Sequence, residues 1–531
     1  MFNGGACPQL KVFSMHPSSA DDRFAAFRHS SYTRFFFARF LGAFATQILS
    51  VSVGWQMYDM TGNVFYLGLI GLVQFLPSLL LILVTGSVAD RYNRRAIVSI
   101  CMIVSAICAG ALLGLTMADA FEPTIVFAIL VVFGIERAFA APAVQSLAPN
   151  LVPQKDLSNA VAWNSSSWQT ASIVGPVAGG LLYGASPVVA YSVSFAFFAA
   201  ASILVFLVKR PPQRKSEKAV SLDTLFAGFR FIFGEKVVLG AISLDLFAVL
   251  LGGAVALMPV FARDILDLGP WGLGLLRAAP GIGAIIVAIA LASFPIRHNA
   301  RIFMFIGVAL FGAGTIVFGL SEYAWLSIVA LMLMGAADMA SVYVRETLIA
   351  LWTPDEVRGR VNAVNMVFVG ASNELGEFRA GTMAHFIGPV PAVVLGGFGT
   401  LAVAAVWALG FFTILPVLRN TMVGLDQVNP SVIEAGRGMG LTRRQVLRQI
   451  ELPLAVPVIL AGIRTALIIN VGMAALAFLI GGGGLGVTIS TGLKLKRDVV
   501  LITGAGMTAI VALTVDWIAA IIERALRPRG L

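Results

Sequence analysis

The succession of long apolar runs constrains this chain more than any other feature. A helix needs about 20 apolar residues to cross a bilayer. Runs of that length fall near residues 35–58, 65–86, 96–117, 122–143, 160–184 and 187–208. A second set falls near 237–262, 271–294, 302–320, 323–346, 361–386 and 390–416. Between the sets lies a basic stretch, Lys209-Arg210-Pro211-Pro212 with Arg214, Lys215 and Lys218. A water-soluble core cannot absorb this pattern. Of the 531 residues, 58% are hydrophobic and 12% charged, about half the charged share of a soluble domain. Apolar side chains must leave water somewhere, so the lipid bilayer is the partner the composition demands. The expected fold is an all-α polytopic membrane protein. Residues 1–30 lack the apolar core of a signal peptide, which leaves insertion to the first span.

Charge sets the orientation. Arg23, Arg28 and Arg34 precede the first span, and Arg91, Arg94 and Arg95 follow the second. Arg297 and Arg301 follow the eighth, and Arg358 and Arg360 the tenth. The alternate loops 58–64 and 117–122 carry no lysine or arginine. Positive charge on every second loop puts the amino terminus in the cytoplasm, in a bacterial inner (plasma) membrane. The net charge of +10 follows this bias, and no nucleic-acid partner is expected. The layout is then a cytoplasmic segment (1–32), a six-helix half (33–208), a basic cytoplasmic linker (209–236), a second six-helix half (237–412) and a further fragment (413–531). Two parallel six-helix halves are a transporter layout, with a small-molecule substrate bound between them near mid-membrane.

The last fragment reads differently. Residues 426–451 are polar and helical in pattern. Apolar runs near 454–480 and 499–522 flank the glycine-rich stretch 481–486, and the tail Glu523-Arg524-Ala525-Leu526-Arg527 is basic. A third span inside 473–492 would strand this tail outside, so the expected total is about fourteen spans.

The segment Gly86-Ser87-Val88-Ala89-Asp90-Arg91-Tyr92-Asn93-Arg94-Arg95 joins the second and third spans. It resembles the signature loop of the major facilitator superfamily. The resemblance implies the twelve-helix fold of that superfamily, here with about two extra carboxy-terminal helices. It also implies a cytoplasmic gate at Gly86, Asp90, Arg91, Arg94 and Arg95. Gly86 would let helices approach closely, and Asp90 would pair with arginine or face a helix dipole. Ala171, Gly175 and Gly179 recur every four residues beside Pro176 and Gly180, a small-residue packing face. That face, Glu136-Arg137 before Ala141-Pro142, and the stretch 354–379 resemble exporters related to the bacterial siderophore exporters. The corresponding second-half loop, 295–301, lacks the glycine and the aspartate. The resemblance covers roughly 30–412 and implies alternating-access export of small amphipathic compounds, drug or siderophore-like.

Ionisable residues inside spans are costly and are functional suspects. Asp245, Asp338, Glu374, Glu377, Glu136 and Arg137 are the candidates for proton or substrate work. Glu374 and Glu377 share a helix face. Two carboxylates in a cavity can hold one proton between them, or Arg379 or Arg358 can satisfy them structurally. Arg39, Asp59, Arg345 and Glu346 lie near expected span ends, where long side chains reach water.

Glu434-Ala435-Gly436-Arg437-Gly438-Met439-Gly440, followed by Leu452-Pro453, resembles the coupling loop of ABC importer permeases of the glycine betaine and osmoprotectant class. Over 413–531 the resemblance implies a site at 434–453 for an ATPase subunit. No phosphate-binding loop occurs in the chain itself. A junction between two transporter types is therefore expected near 405–416. Three readings stand: proton-coupled exporter, osmoprotectant permease subunit, and inactive fusion. Four scattered histidines, and Cys7, Cys101 and Cys108 without ligand spacing, give no enzyme, metal or cofactor signature.

Overall fold

A computed structural model describes residues 23–209, 222–294, 296, 300–474 and 485–526. Much of the expected linker, parts of the 295–301 loop, most of the glycine run and the tail beyond 526 lie outside the described residues. The regular structure among the described residues is helical. In order they form α1 (Ser30–Thr61), α2 (Val64–Arg91), α3 (Arg94–Met117), α4 (Pro123–Leu147), α5 (Leu157–Ala185) and α6 (Pro187–Phe206). There follow α7 (Leu222–Gly234), α8 (Lys236–Gly252), the single turn α9 (Met258–Val260), α10 (Gly269–Ser293), α11 (Ala300–Leu320), α12 (Ala324–Trp352), α13 (Asp355–Ile387) and α14 (Pro389–Asp426). The carboxy-terminal helices are α15 (Pro430–Gly438), α16 (Arg443–Val446), α17 (Leu452–Ala474), α18 (Leu485–Lys494) and α19 (Asp498–Leu526).

Among the described residues, twelve helices are long and apolar enough to cross a membrane. Helices α5 and α13 match two further expected spans in length but are more polar. The first carries Asn159, Asn164 and Gln169; the second carries Arg358, Arg360, Glu374, Glu377 and Arg379. Polar residues at that depth must face protein or a water-filled cavity.

Two compact units emerge. The first comprises residues 1–62, 70–225 and 262–281, the second 63–69, 226–261 and 282–531. The core of the first gathers Tyr32, Phe35 and Phe36 from α1, Val98 from α3, Leu147 from α4 and Val205 from α6. The Tyr32 hydroxyl donates to the Ala160 carbonyl at 2.9 Å, which keeps a fully buried phenol satisfied. Trp163 packs against Phe24, Phe27 and Phe36, and its indole donates to the Arg23 carbonyl at 2.9 Å. The small face of α5 sets the helix spacing. A Cβ on Gly175 would fall 2.7 Å from Gln47, and one on Gly179 would fall 3.0 Å from the Ile48 backbone. Gly180 lies against Pro270 and Gly274, and Gly274 in turn against the Pro176 carbonyl.

In the second unit α8, α11, α12, α13 and α14 pack around Leu244, Val308, Val344 and Val364. The expected span 237–262 is broken. Helix α8 stops at Gly252, and short turns through Pro259 carry the chain to Ile265. Glycine is permissive there, and proline removes an amide donor. By contrast α14 runs unbroken through the expected junction to Asp426. Its 38 residues extend about 57 Å, well beyond a hydrocarbon core of about 30 Å. Its far end packs on α17: a Cβ on Gly462 would meet Asn420, and one on Gly424 would meet Val458 and Ala455. Helix α18 is described over 10 residues, and most of the stretch 473–492, where the charge argument rejects a third span, lies outside the described residues.

Candidate functional site

The most concentrated chemistry lies in the second unit. Asp245 of α8 is 7% exposed and Arg345 of α12 is 4% exposed, and the two form an ion pair. Removing two charges from water is expensive, and mutual attraction offsets that cost only when both partners stay. The α12 face that carries Arg345 also carries Ser341 and Asp338, at helical spacings of four and three residues. Asp245, Asp338 and Ser341 line one pocket, walled by Ala248, Gly307 and Phe311. Its water-accessible volume is about 10 Å³, roughly the room one water molecule needs. Such a pocket has room for a proton or a water. Glu346, beside Arg345, accepts a hydrogen bond from Asn365 of α13 at 3.0 Å. The network therefore joins α8, α12 and α13.

One sequence expectation needs correction here. Arg345 does not extend to water: it is 4% exposed and paired with Asp245, on a helix that continues to Trp352. Asp59, 46% exposed, also takes an ion pair from Arg263 at 3.1 Å.

The other candidates are dispersed. Glu136 of α4 is 7% exposed and bonds Ser105 of α3. Arg137 turns the other way and donates to Gln74 of α2 at 3.3 Å. Glu374 and Glu377 are half-buried on α13. Arg379, one of the two arginines that could satisfy them, donates to the carbonyls of Leu250 (2.9 Å) and Leu251 (2.5 Å) where α8 breaks.

That contact belongs to a recurrent pattern. The last carbonyls of a helix have no intrahelical partner and carry partial negative charge. Arg34 donates to Leu207 at 2.6 Å, and Arg95 donates to Phe206 and sits over its ring; both meet the end of α6. Arg94 reaches Ser146 near the end of α4 at 3.2 Å. Arg358 reaches Ala350 and Thr353 at the end of α12. The signature motif is thus less of a loop than its sequence implies. Gly86 through Arg91 belong to α2, Arg91 is exposed, and Asn93 caps α3 by accepting from the Arg95 amide at 3.1 Å. No described residue comes within 4 Å of where a Cβ on Gly86 would sit, so close approach is not what this glycine provides here.

The segment after α14 forms a small helical hairpin. Asn429 caps α15, Gly440 turns the chain at φ +84°, and Thr442 with Gln445 forms a capping box on α16. Gly436 is buried against Ile450, while Glu434, Ala435, Arg437, Met439 and Arg443 are exposed. Helix α16 runs through a wide turn into α17, which opens with Leu452 and Pro453. Arg464 of α17 makes a two-pronged ion pair with Asp516 of α19, one arm at 2.6 Å. The sequence reading passed over that pair, because nothing local marks two residues 52 apart in sequence as neighbours.

Comparison with known proteins adds three findings. The model of the family described as transmembrane secretion effector matches residues 21–451. The glycine betaine/carnitine/choline transport system permease OpuCB of Bacillus subtilis is 45% identical over 133 residues, 25% of this chain and 61% of that protein. The osmoprotectant import permease OsmW of Salmonella typhimurium is 41% identical over 142 residues, 27% of this chain and 66% of that protein. The chain thus spans less than two thirds of the length of these curated relatives. Two solved structures share the fold. The nucleoside transporter NupG has a TM-score of 0.57 at 13% identity, covering 72% of this chain and 99% of its own. A bacterial homolog of the human lysosomal transporter Spinster has a TM-score of 0.55 at 14% identity, covering 95% and 99%.

Proposed function

The chain belongs to the transmembrane secretion effector family and is a secondary transporter of the major facilitator type, and on that premise we propose that it exports small amphipathic compounds in exchange for protons. The observation that carries the proposal is the Asp245–Asp338 pocket. Two carboxylates from different helices share a void with room for about one water, and one of them is held by a buried arginine. When a proton neutralises one carboxylate, the attraction holding Arg345 changes. The packing of α8 against α12 then depends on protonation, as coupling of a proton to alternating access requires. The proposed orientation, amino terminus in the cytoplasm of the inner membrane, rests on the arginine distribution. In it, Asp90 with Arg91, Arg94 and Arg95 serves the cytoplasmic gate, with Arg94 and Arg95 tying α3 to the ends of α4 and α6.

In inside-out vesicles energised to acidify their interior, an amphipathic dye such as ethidium should accumulate and leak out when a protonophore is added. Accumulation that survives the protonophore and requires ATP would overturn the proton-coupled reading.

A second reading, an ABC-type permease subunit for osmoprotectant uptake, is supported by the 45% identity over 133 residues to the OpuCB permease. In it the exposed hairpin carrying Glu434, Ala435 and Gly440 docks an ABC-type ATPase subunit. The hairpin depends on Gly440, whose φ of +84° costs an L-residue about 1 kcal/mol or more. Gly440→Ala should therefore lose any ATPase that co-purifies with the intact chain, while the melting temperature of the helical bundle changes little.

A further inference from the structure

Helix α8 ends inside the second unit, and its end carries a tie of a different kind from Asp245. The last carbonyls of a helix have no intrahelical partner, and within a bilayer there is no bulk water to take them. The surroundings of this end are packed: Ala254, Ala256, Leu257 and Met258, just past Gly252, are each at most 4% exposed. The Gly253 amide still reaches the Val249 carbonyl at 2.9 Å. Leu250 and Leu251 come next, and one side chain takes both. Arg379 of α13 donates Nε to Leu250 at 2.9 Å and an Nη to Leu251 at 2.5 Å. Thr400 of α14 adds a bond to the Ala248 carbonyl at 2.9 Å. Three helices therefore meet at the break, and main-chain oxygens are what they share.

The arginine lies in a slot that small residues keep open. A Cβ on Gly396 would fall 3.1 Å from the guanidinium and 2.5 Å from the Leu251 carbonyl, and one on Gly376 would fall 3.0 Å from the Val249 carbonyl. Its remaining arm meets the Met383 sulfur at 2.9 Å. None of these partners titrates, and a guanidinium keeps its charge in proteins. Its planar fork fixes direction as well as distance. The tie at Asp245 is the opposite case, a carboxylate that a proton can neutralise. Five residues separate Asp245 from Leu250, about 7.5 Å of helix. Loss of the Asp245–Arg345 attraction therefore frees one end of a short lever and leaves the other end held.

We propose that Arg379 is a positioning residue, the fixed pivot about which α8 swings when the Asp245–Arg345 pair parts. That a proton parts the pair rests on the proton-coupled reading above; the pivot itself rests on the capped helix end. With the pivot in place, release at Asp245 turns α8 in one direction. Without it, the same release lets the whole segment drift, and the pocket loses its hold on where the helix goes.

The test uses the full-length chain in detergent, with Cys7, Cys101 and Cys108 replaced by serine. Two buried alanines serve as reporters, Ala241→Cys one turn before Asp245 and Ala254→Cys just past the break. They are 4% and 2% exposed, so N-ethylmaleimide reaches each only when its end of the segment opens. Combining Asp245→Leu with Arg345→Met releases the titratable tie without stranding a charge. It should speed labelling at 241 about tenfold, the scale of one charge-assisted bond, and leave 254 unchanged. Arg379→Met should do the reverse, speeding 254 about a hundredfold for the two bonds lost. Arg379→Lys keeps the charge but not the fork, so it should speed 254 about tenfold, and it carries the test if the methionine variant does not fold. A residue that only adds stability would loosen both ends together. Equal acceleration at 241 and 254 in the Arg379 variants, or none at 254, would overturn the pivot. Protonophore-resistant dye accumulation by the parent would overturn the proton-coupled reading instead, and the labelling pattern would still decide the pivot.

Discussion

Replacing Arg345 with methionine should lower the stability of the detergent-solubilised protein by about 3–5 kcal/mol, the scale for breaking a buried ion pair by removing one partner. The side-chain volumes are similar, so packing is not the main loss. Asp245, 7% exposed, would keep a charge with neither water nor a cation beside it. Asp245→Asn alone should destabilise for the mirror reason, by stranding the guanidinium. Combining Asp245→Leu with Arg345→Met removes both charges, and buried pairs replaced by apolar groups of similar size are often neutral. The melting temperature of the double variant should therefore return close to that of the parent. Its proton-driven dye accumulation should be absent, because no ion pair is left between α8 and α12 for a proton to weaken. A thermal melt of the four proteins by tryptophan fluorescence decides the matter. A double variant as unstable as the singles would mean that this pair is not an isolated electrostatic unit.

This pair also shows what the sequence made legible. Long apolar runs located the spans, because length and apolarity are local properties. They also located α5 and α13, whose polar residues keep them from standing out by composition. The alternation of arginines between loops was equally local, and many of those arginines lie at helix ends that expose unpaired carbonyls. Span limits were less legible. Hydropathy reports where lipid ends, whereas a helix continues as long as its backbone bonds are satisfied. Helix α12 runs past its apolar run to Trp352, and α2 runs to Arg91. The first overrun set Arg345 at an expected span end, although protein buries it, and the second made a helix end read as a loop. The signal that could have found Arg345 was present, since Asp338, Ser341 and Arg345 recur on one helical face. Its partner was not, because Asp245 lies on a different helix, far away in sequence. Arg263 escaped for a related reason: it follows the expected end of its span, and only the broken path after Gly252 brings it to Asp59.

Asp338→Asn should separate transport from its driving force with little cost to the fold. Asp338 shares the pocket with Asp245 but is not the carboxylate that holds Arg345, so its replacement strands no cation. An amide of the same shape keeps its hydrogen-bonding capacity, and the stability should fall by no more than about 1 kcal/mol, the centre of the range for point substitutions. What the amide cannot do is take up and release a proton. If Asp338 is the group that titrates during the cycle, reorientation of the empty carrier becomes independent of the proton gradient, and the gradient can no longer drive net flux. Exchange of labelled for unlabelled dye across the membrane, which needs no net proton movement, should persist at about the parent rate. Accumulation against a gradient should fall by roughly two orders of magnitude, as expected when a differential state preference of several kcal/mol is lost. Side-by-side measurement of exchange and accumulation in the same vesicles distinguishes the possibilities. Loss of both would make Asp338 a substrate or structural residue, and retention of both would shift the coupling role to Glu136 or to the Glu374–Glu377 pair.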